Sequence, residues 1–375
     1  MEQPTTNGNG TRLVVLWESL GPYHHDRLRE LARGGFEIDV IELHEQSRDY
    51  QWERDSALDY RIHTIVPAGA RTNGLLIAAR IIRICWRSKA RAMFFCHYEK
   101  MGVFVSSLVL RLARRRVFTM IDSKFDDYPR VLWRELIKSL YLRPYSGALV
   151  ASARSRDYVR FLGFGQRPVQ QGYDTIDIAR FSRIADDGTV VIPHDQRPFL
   201  VVARLVPKKN IAEVLRAFAL HLQRHGAGRE LHIIGYGPME AELVALAAEL
   251  GIAPSVRFLG ARPSSEVADA MIRSVALILA STEEQFGLVI NEALAMGTPV
   301  IVSSNAGAVD ELVDNDRNGI IVNPRDTAGI SHAMSRIATM PELEWTRMSA
   351  HARDAATRGD VRHFRSGVER LLDAG

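Results

Sequence analysis

The chain reads as an α/β protein: two Rossmann-like, doubly wound parallel-sheet domains in tandem, facing a central cleft. Three observations predict this. Its 375 residues exceed one ordinary core, so two domains of about 150–190 residues are the natural division. Short apolar strands alternate with helix-period segments along most of the chain, the βα alternation of a parallel sheet wrapped by helices. That alternation loosens once, after Gly172, through Asp174, Asp177, Asp186-Asp187-Gly188 and Pro193 to Pro198, and then restarts.

The predicted elements follow in order. Residues 1–10, MEQPTTNGNG, form a disordered polar tail without the basic start and apolar run of a signal peptide. The first domain covers 11–185. Its strand Arg12 to Glu18 leads through Ser19-Leu20-Gly21-Pro22 into a helix ending near Gly34, and strands follow at Phe36 to Leu43 and Tyr60 to Val66. Helical patterns at 74–89, 99–113 and 129–143 then alternate with strands at 91–96, 115–121 and 147–151. Residues 186–197 are the linker. The second domain, 198–355, runs as strand 199–203, helix 210–224, strand 230–235, helix 238–250, strand 255–260, helix 264–273 and strand 275–279. A basic amphipathic helix, Asp360 to Leu372, lies within the closing segment 356–375 and packs back toward the first domain. Such sheets bind ligands at the carboxyl ends of their strands, so two of them converge on one cleft.

Composition narrows the function class. With 46% hydrophobic and 25% charged residues the chain is globular. No apolar run approaches the ~20 residues needed to cross a bilayer, and the longest candidate, Leu75 to Trp86, is interrupted by Arg80 and Arg83. Cys85 and Cys96 have neither metal spacing nor a disulfide-framework count, which implies buried free thiols in a reducing compartment and a cytoplasmic location. Charge is uneven: residues 1–185 hold 29 Lys and Arg against 20 Asp and Glu, and the remainder 19 against 24. Within 80–167 the counts are 19 and 6. A solvated surface explains this as well as an anionic membrane surface or an anionic acceptor does, with Arg80, Arg83, Arg87, Lys89 and Arg114 to Arg116 as contact candidates. A nucleic-acid binder is disfavoured, because the basic segment lacks interleaved aromatic platforms.

The chemistry concentrates in Ser281 to Asn305, STEEQFGLVINEALAMGTPVIVSSN. Glu284 and Glu292 flank Phe286-Gly287-Leu288, where a loop becomes a helix whose first amides and positive dipole end face any nearby anion. The carboxylates cannot bind that anion, so they address hydroxyl donors such as a sugar or ribose. Ordinary dipole-complementing glutamates would look the same. Upstream, Arg204 and Lys209 follow the first strand of the second domain, where fixed cations would stabilise a departing diphosphate. His232 to Pro238, HIIGYGP, ends a strand in a Gly-x-Gly turn that is weak as a dinucleotide fingerprint, since the third glycine is missing.

Taken together, Arg204 with Lys209, Gly235-Tyr236-Gly237-Pro238, Phe258-Leu259-Gly260, and Glu284 through Glu292 with Ala293 to Pro299 resemble the retaining GT-B glycosyltransferases, specifically glycosyltransferase family 4 (glycosyl transferases group 1), over most of 198–355. The resemblance implies that Arg204 and Lys209 hold the donor diphosphate, that Glu284 contacts the transferred sugar, and that Glu292 takes the ribose hydroxyls. It places the backbone of Phe286, Gly287 and Leu288 against sugar and phosphate, Arg262 beside the base pocket, and Gly21 in a flexible loop near the diphosphate, although Gly-Pro stands here where many relatives have two glycines. It also implies front-face transfer with retention and without a protein nucleophile. The acceptor would be a saccharide, a lipid-linked glycan or a small molecule, in bacterial polysaccharide or glycoconjugate synthesis.

Two points depart from the pattern. Many relatives carry a histidine after the strand equivalent to Val117–Ile121, where this chain has Asp122; either Asp122 takes a comparable role or His97, ending the previous strand, lies nearer the chemistry. A helix N-cap is the plain alternative for Asp122. Asp314-Asn315-Asp316 looks like a metal-binding triplet, but it precedes Asn318-Gly319 and reads better as an Asx turn, so no metal and no other cofactor is expected. The competing classes are a GT-B sugar-nucleotide epimerase of the same fold and an NAD-dependent oxidoreductase. The latter would need a full glycine fingerprint after the first strand, where only Gly21 is present.

Overall fold

The computed structural model of the chain describes residues 10–45, 60–70, 72–187, 192–226 and 228–374. The expected tail therefore lies outside the described residues except for Gly10, as do 188–191 of the expected linker. Two compact units result. The first runs to Phe125, resumes over Pro129–Asp177 and takes the chain again from Val361; the second comprises Ile178–Asp360 with Asp126–Tyr128.

In the first unit, β1 (Arg12–Trp17), α1 (Pro22–Arg33), β2 (Glu37–His44), β3 (Arg61–Val66), α2 (Gly74–Ser88), β4 (Ala92–Phe95), α3 (Met101–Leu112), β5 (Arg116–Ile121), α4 (Leu132–Leu142), β6 (Gly147–Val150), α5 (Ala153–Val159) and β7 (Val169–Gln171) follow in order. The seven strands pair in parallel as β3-β2-β1-β4-β5-β6-β7. Leu13 to Trp17 are all buried, as a parallel strand covered on both faces requires. Val14, Leu16, Phe95, Val117 and Val150 anchor this core. Both cysteines are free and buried there, and burial pushes the Cys85 thiol up to about 12.

The segment after Gly172, read from sequence as a loosening of the pattern, is tightly organised. Asp174 accepts from the buried Arg27 guanidinium at 3.1 Å, and Asp177 lies 3.7 Å from Arg33. Tyr173 takes its hydroxyl to Trp17 Nε1 and to Cys96 Sγ, each at 3.0 Å. Asp174 and Asp177, which suggested a linker, are thus partners of two cations on α1, the buried Arg27 and the exposed Arg33, and α6 (Ile178–Asp187) begins directly after them.

The second unit holds, after α6, β8 (Phe199–Val202), α7 (Ile211–His225), β9 (Leu231–Ile234), α8 (Glu240–Glu249), β10 (Val256–Gly260), α9 (Ser264–Arg273), β11 (Ala276–Leu279), α10 (Leu288–Ala295), β12 (Val300–Ser303), α11 (Val309–Leu312), β13 (Gly319–Val322), α12 (Thr327–Ala338) and α13 (Glu342–Ala356). Its sheet is parallel in the order β10-β9-β8-β11-β12-β13, around a core that includes Phe199, Val201, Phe218, Ile278 and Ile301.

The last helix, α14 (Val361–Asp373), returns to the first unit. Its Phe364, Val368 and Leu371 are buried, Arg365 reaches Glu30 of α1 at 2.8 Å, and Arg116 donates to the carbonyls of Leu371 and Leu372 at its end. Arg116, a candidate for the basic surface, is therefore a helix-end cation. Gly172, at φ +109, is needed where α14 approaches, since a Cβ there would stand 2.6 Å from the His363 carbonyl oxygen.

Candidate active site

In the second unit the site grows from the loops at the carboxyl ends of β8 and β11, adjacent strands. Past β8, Ala203 N–H donates to Ile234 O at 3.1 Å and Leu205 N–H to Tyr236 O at 2.9 Å, so the loop carrying Arg204 lies against the Gly-x-Gly turn after β9. A Cβ on Gly235, at φ +144, would fall 1.9 Å from Ala203 O, and one on Gly237 2.4 Å from Leu205 O. These glycines therefore serve close backbone packing, and their service is to hold the Arg204 loop in place.

A single 3₁₀ turn, Pro207–Lys209, then aims Lys209. Asn210, left-handed at φ 58, fixes that turn by donating through Nδ2 to Ala280 O at 3.0 Å and Pro324 O at 2.7 Å. Thr282 N–H donates to Lys208 O at 2.9 Å, joining the β8 and β11 loops. Across this joint Lys209 Nζ meets Glu284 Oε2 at 2.5 Å, and Ser281 Oγ donates to the same oxygen at 2.9 Å. Both charged side chains are half-buried, which strengthens their attraction relative to a fully solvated pair.

Glu284 is held from its other side as well. It bridges Ala306, Ala308 N–H donates to Phe286 O at 3.0 Å, and Asn305 Nδ2 donates to Thr282 O at 2.8 Å. Gly287, at φ +101, is the N-cap of α10, and Phe286 before it is buried. Leu288 opens the helix, so the α10 amino terminus with its positive dipole end lies three to four residues beyond the Lys209 partner in sequence. Glu292 sits more than a turn into α10 and is half-buried.

Arg204, Lys209, Glu284 and the Gly287 cap thus occupy the ends of β8 and β11, with Glu292 on the helix that follows. Arg262 is apart from them. It follows β10, the edge strand two places from β8, and its exposed side chain donates to Leu259 O at 2.9 Å and to Glu266 at 3.2 Å. The triplet Asp314-Asn315-Asp316 is a turn: Asn318 N–H donates to Asp314 O at 3.1 Å, and the two carboxylates meet Arg358 at 3.0 Å and Arg336 at 2.7 Å.

In the first unit, Gly21, His97 and Asp122 follow β1, β4 and β5, three consecutive strands of the sheet. Gly21 caps α1, and its N–H donates to His24 Nδ1 at 2.9 Å. Burial holds the His24 imidazole well below its usual pKa, the neutral form that such acceptance requires. His97, left-handed at φ 57, lies 3.8 Å from Glu18 and 3.5 Å from Glu99. Lys100 reaches Glu18 at 2.7 Å; burial alone would raise the Glu18 carboxyl, but this hydrogen bond together with the charges of Lys100, His97 and His44 leaves the group below its usual range. Asp122 leaves β5 directly and its carbonyl accepts from Ser155 Oγ at 2.9 Å. Sequence reasoning missed Glu18 and Lys100, whose signal was a carboxylate ending β1 and a cation opening α3. It also missed Asn210 and Ser281, which orient Lys209 and Glu284.

The second unit thus gathers cations after one strand and a carboxylate with a helix cap after its neighbour. Residues 182–355, just under half of the chain, match the family described as glycosyl transferases group 1. An uncharacterized glycosyltransferase of Methanocaldococcus jannaschii is 34% identical over 149 residues, 40% of this chain and 37% of that protein. A D-inositol 3-phosphate glycosyltransferase of Saccharomonospora viridis is 32% identical over 209 residues, 53% of this chain and 47% of the relative. The chain thus spans less than half the length of these curated relatives. In fold, it superposes on trehalose-6-phosphate from E. coli bound with UDP-2-fluoro glucose with a TM-score of 0.76 at 14% identity, covering 96% of this chain and 99% of the other. The fold is that of GT-B glycosyltransferases.

Proposed function

We propose that the chain is a glycosyltransferase that moves a sugar from a nucleoside-diphosphate sugar to a hydroxyl of a saccharide, lipid-linked or small-molecule acceptor. The observation that carries this reading is the Lys209–Glu284 pair at 2.5 Å, set between the β8 and β11 loops within the glycosyl transferases group 1 domain. The chemistry follows from these groups. Donor binding would draw Lys209 and Arg204 toward the diphosphate, whose charge grows as its bond to the anomeric carbon breaks, while the Gly287 cap supplies a preorganised dipole. Glu284, steadied by Ser281, would accept hydroxyls of the transferred sugar, and Glu292 those of the ribose. Arg262 would lie toward the base.

With no protein nucleophile assigned, the leaving phosphate oxygen takes the acceptor proton and the new bond forms on the face just vacated, so configuration is retained, as in glycosyltransferase family 4. Charge neutralisation rests on side chains, and the reaction proceeds without a divalent metal or other cofactor. Asp122, or failing it His97, serves the reacting sugar from the first unit, and Gly21 the diphosphate. The setting is cytoplasmic and the product a bacterial polysaccharide or glycoconjugate. A fold neighbour that holds UDP-2-fluoro glucose supports the donor class.

A thermal-shift panel of nucleotides and nucleotide sugars, followed by product detection with lipid and saccharide acceptors, tests the proposal. Stabilisation by one sugar nucleotide, and transfer of its sugar with retained anomeric configuration, is the expected result. A preference for NAD over every sugar nucleotide would favour an oxidoreductase instead.

A further inference from the structure

Helix α4 of the first unit is packed inside out. Leu132, Trp133, Leu136, Ile137 and Leu140 are each between 42% and 72% exposed, whereas Glu135 on the opposite side is only 4% exposed. At 3.6 residues per turn those five side chains fall within an arc of about 140°, a continuous apolar face turned to solvent. The inward side carries Leu142 at the helix end and is otherwise polar: Glu135 accepts from Lys138 at 2.9 Å and from the Tyr158 hydroxyl, and Arg130 stacks over the Tyr158 ring at 4.4 Å. A surface helix of a globular protein has the reverse arrangement.

The chain around this face is cationic. Arg134 stacks on Trp133 at 5.3 Å, and exposed Arg143 follows the helix. Phe104 of α3 meets Tyr141 of α4 edge-on at 4.6 Å, so α3, with exposed Leu108, Leu112 and Arg111, lies beside it. An apolar stripe edged by arginines matches a bilayer with anionic headgroups, where aliphatic side chains enter the acyl boundary and guanidiniums meet phosphate. With 11 residues α4 is far short of the ~20 that span a membrane, so it lies in the plane of the interface. A second copy fits less well, because a self-complementary contact would bring together two faces that are both edged by Arg134 and Arg143, with no acidic residue among the exposed residues named on this face to pair them.

We propose that α4 is an in-plane anchor that docks the first unit on an anionic lipid bilayer, with Leu132, Trp133, Leu136, Ile137 and Leu140 inserted and the neighbouring arginines on the headgroups. The inference concerns this surface alone and holds whether or not the chain transfers a sugar.

Co-sedimentation of the full chain with vesicles of phosphatidylcholine, with and without phosphatidylglycerol, tests it. Binding to the anionic vesicles is expected, weakened by salt, and reduced at least tenfold or so in the triple variant Leu132→Gln/Leu136→Gln/Leu140→Gln, whose melting temperature stays near wild type because these side chains are exposed. A second readout uses the wild-type chain: brominated lipid quenches its tryptophan emission, and the conservative variant Trp133→Phe removes the Trp133 share of that quenching. Equal sedimentation of the triple variant and wild type, absence of quenching, or a lipid-free dimer that the triple variant splits would overturn the proposal.

Discussion

Lys209 donates to Glu284 at 2.5 Å across 75 positions of sequence, and Ser281 donates to the same carboxylate oxygen. The pair joins the loop after β8 to the loop after β11, so each charge holds the other where a donor would meet both.

Removing either charge separates chemistry from stability. Lys209→Ala is expected to lower the transfer rate roughly 10²–10³-fold, the loss typical of one preorganised charge-stabilising group. Its cost in stability is about 1 kcal/mol, because Ser281 still satisfies Glu284. Glu284→Gln retains the shape and lowers the rate by raising KM and reducing kcat together. Steady-state kinetics with parallel melting curves check both.

Gly235→Ala tests the support of the Arg204 loop. With φ +144 and a Cβ 1.9 Å from Ala203 O, no rotamer relieves the clash, since backbone is struck. A loss of about 3 kcal/mol or more is expected, together with lost donor affinity, whereas Gly228→Ala, with open space around it, should change neither. Thermal denaturation and donor titration distinguish these.

The buried Arg27–Asp174 pair predicts a non-additive cycle. Burial raises the Asp174 pKa and the Arg27 charge works against that, so Arg27→Met leaves a carboxylate stranded and costs about 3–5 kcal/mol. The double variant Arg27→Met/Asp174→Asn should recover a large part of that loss, measured by denaturant unfolding.

His221 predicts acid sensitivity in the second unit. It is packed against Phe199, Phe218 and His225, its Nδ1 lies 3.1 Å from Ser335 Oγ, and burial, then His225 and Arg229, lower its pKa from 6.5 to about 4. The unfolded chain takes the proton first, so this stability is complete above about pH 6.5 and is lost as pH falls toward about 4, a total of about 3 kcal/mol. His221→Gln should flatten the melting-temperature profile across that window.

Much of this fold was legible because parallel strands buried on both faces leave uninterrupted apolar runs, as in β1 and β12. What escaped the sequence depends on partners distant along the chain. Asp174 and Asp177 read as linker residues because their arginines lie on α1, and α6 was hidden behind them. Periodicity marked α4 as a helix without saying which face is inward, and a buried Glu135 with three polar partners reverses the usual choice. Near the site, spacing singled out Lys209 and Glu284, while their mutual contact and its supports Asn210 and Ser281 required the strand order β8-β11.

The central claim is that side chains, chiefly Lys209, take the charge of a nucleoside diphosphate. Calorimetric titration in EDTA of nucleoside diphosphates and monophosphates into wild type and Lys209→Ala tests it most directly. The account predicts that the matching diphosphate binds wild type at least about tenfold more tightly than its monophosphate, and that Lys209→Ala erases this difference. Equal diphosphate affinity in wild type and Lys209→Ala, or binding that appears only when a divalent metal is restored, would contradict it.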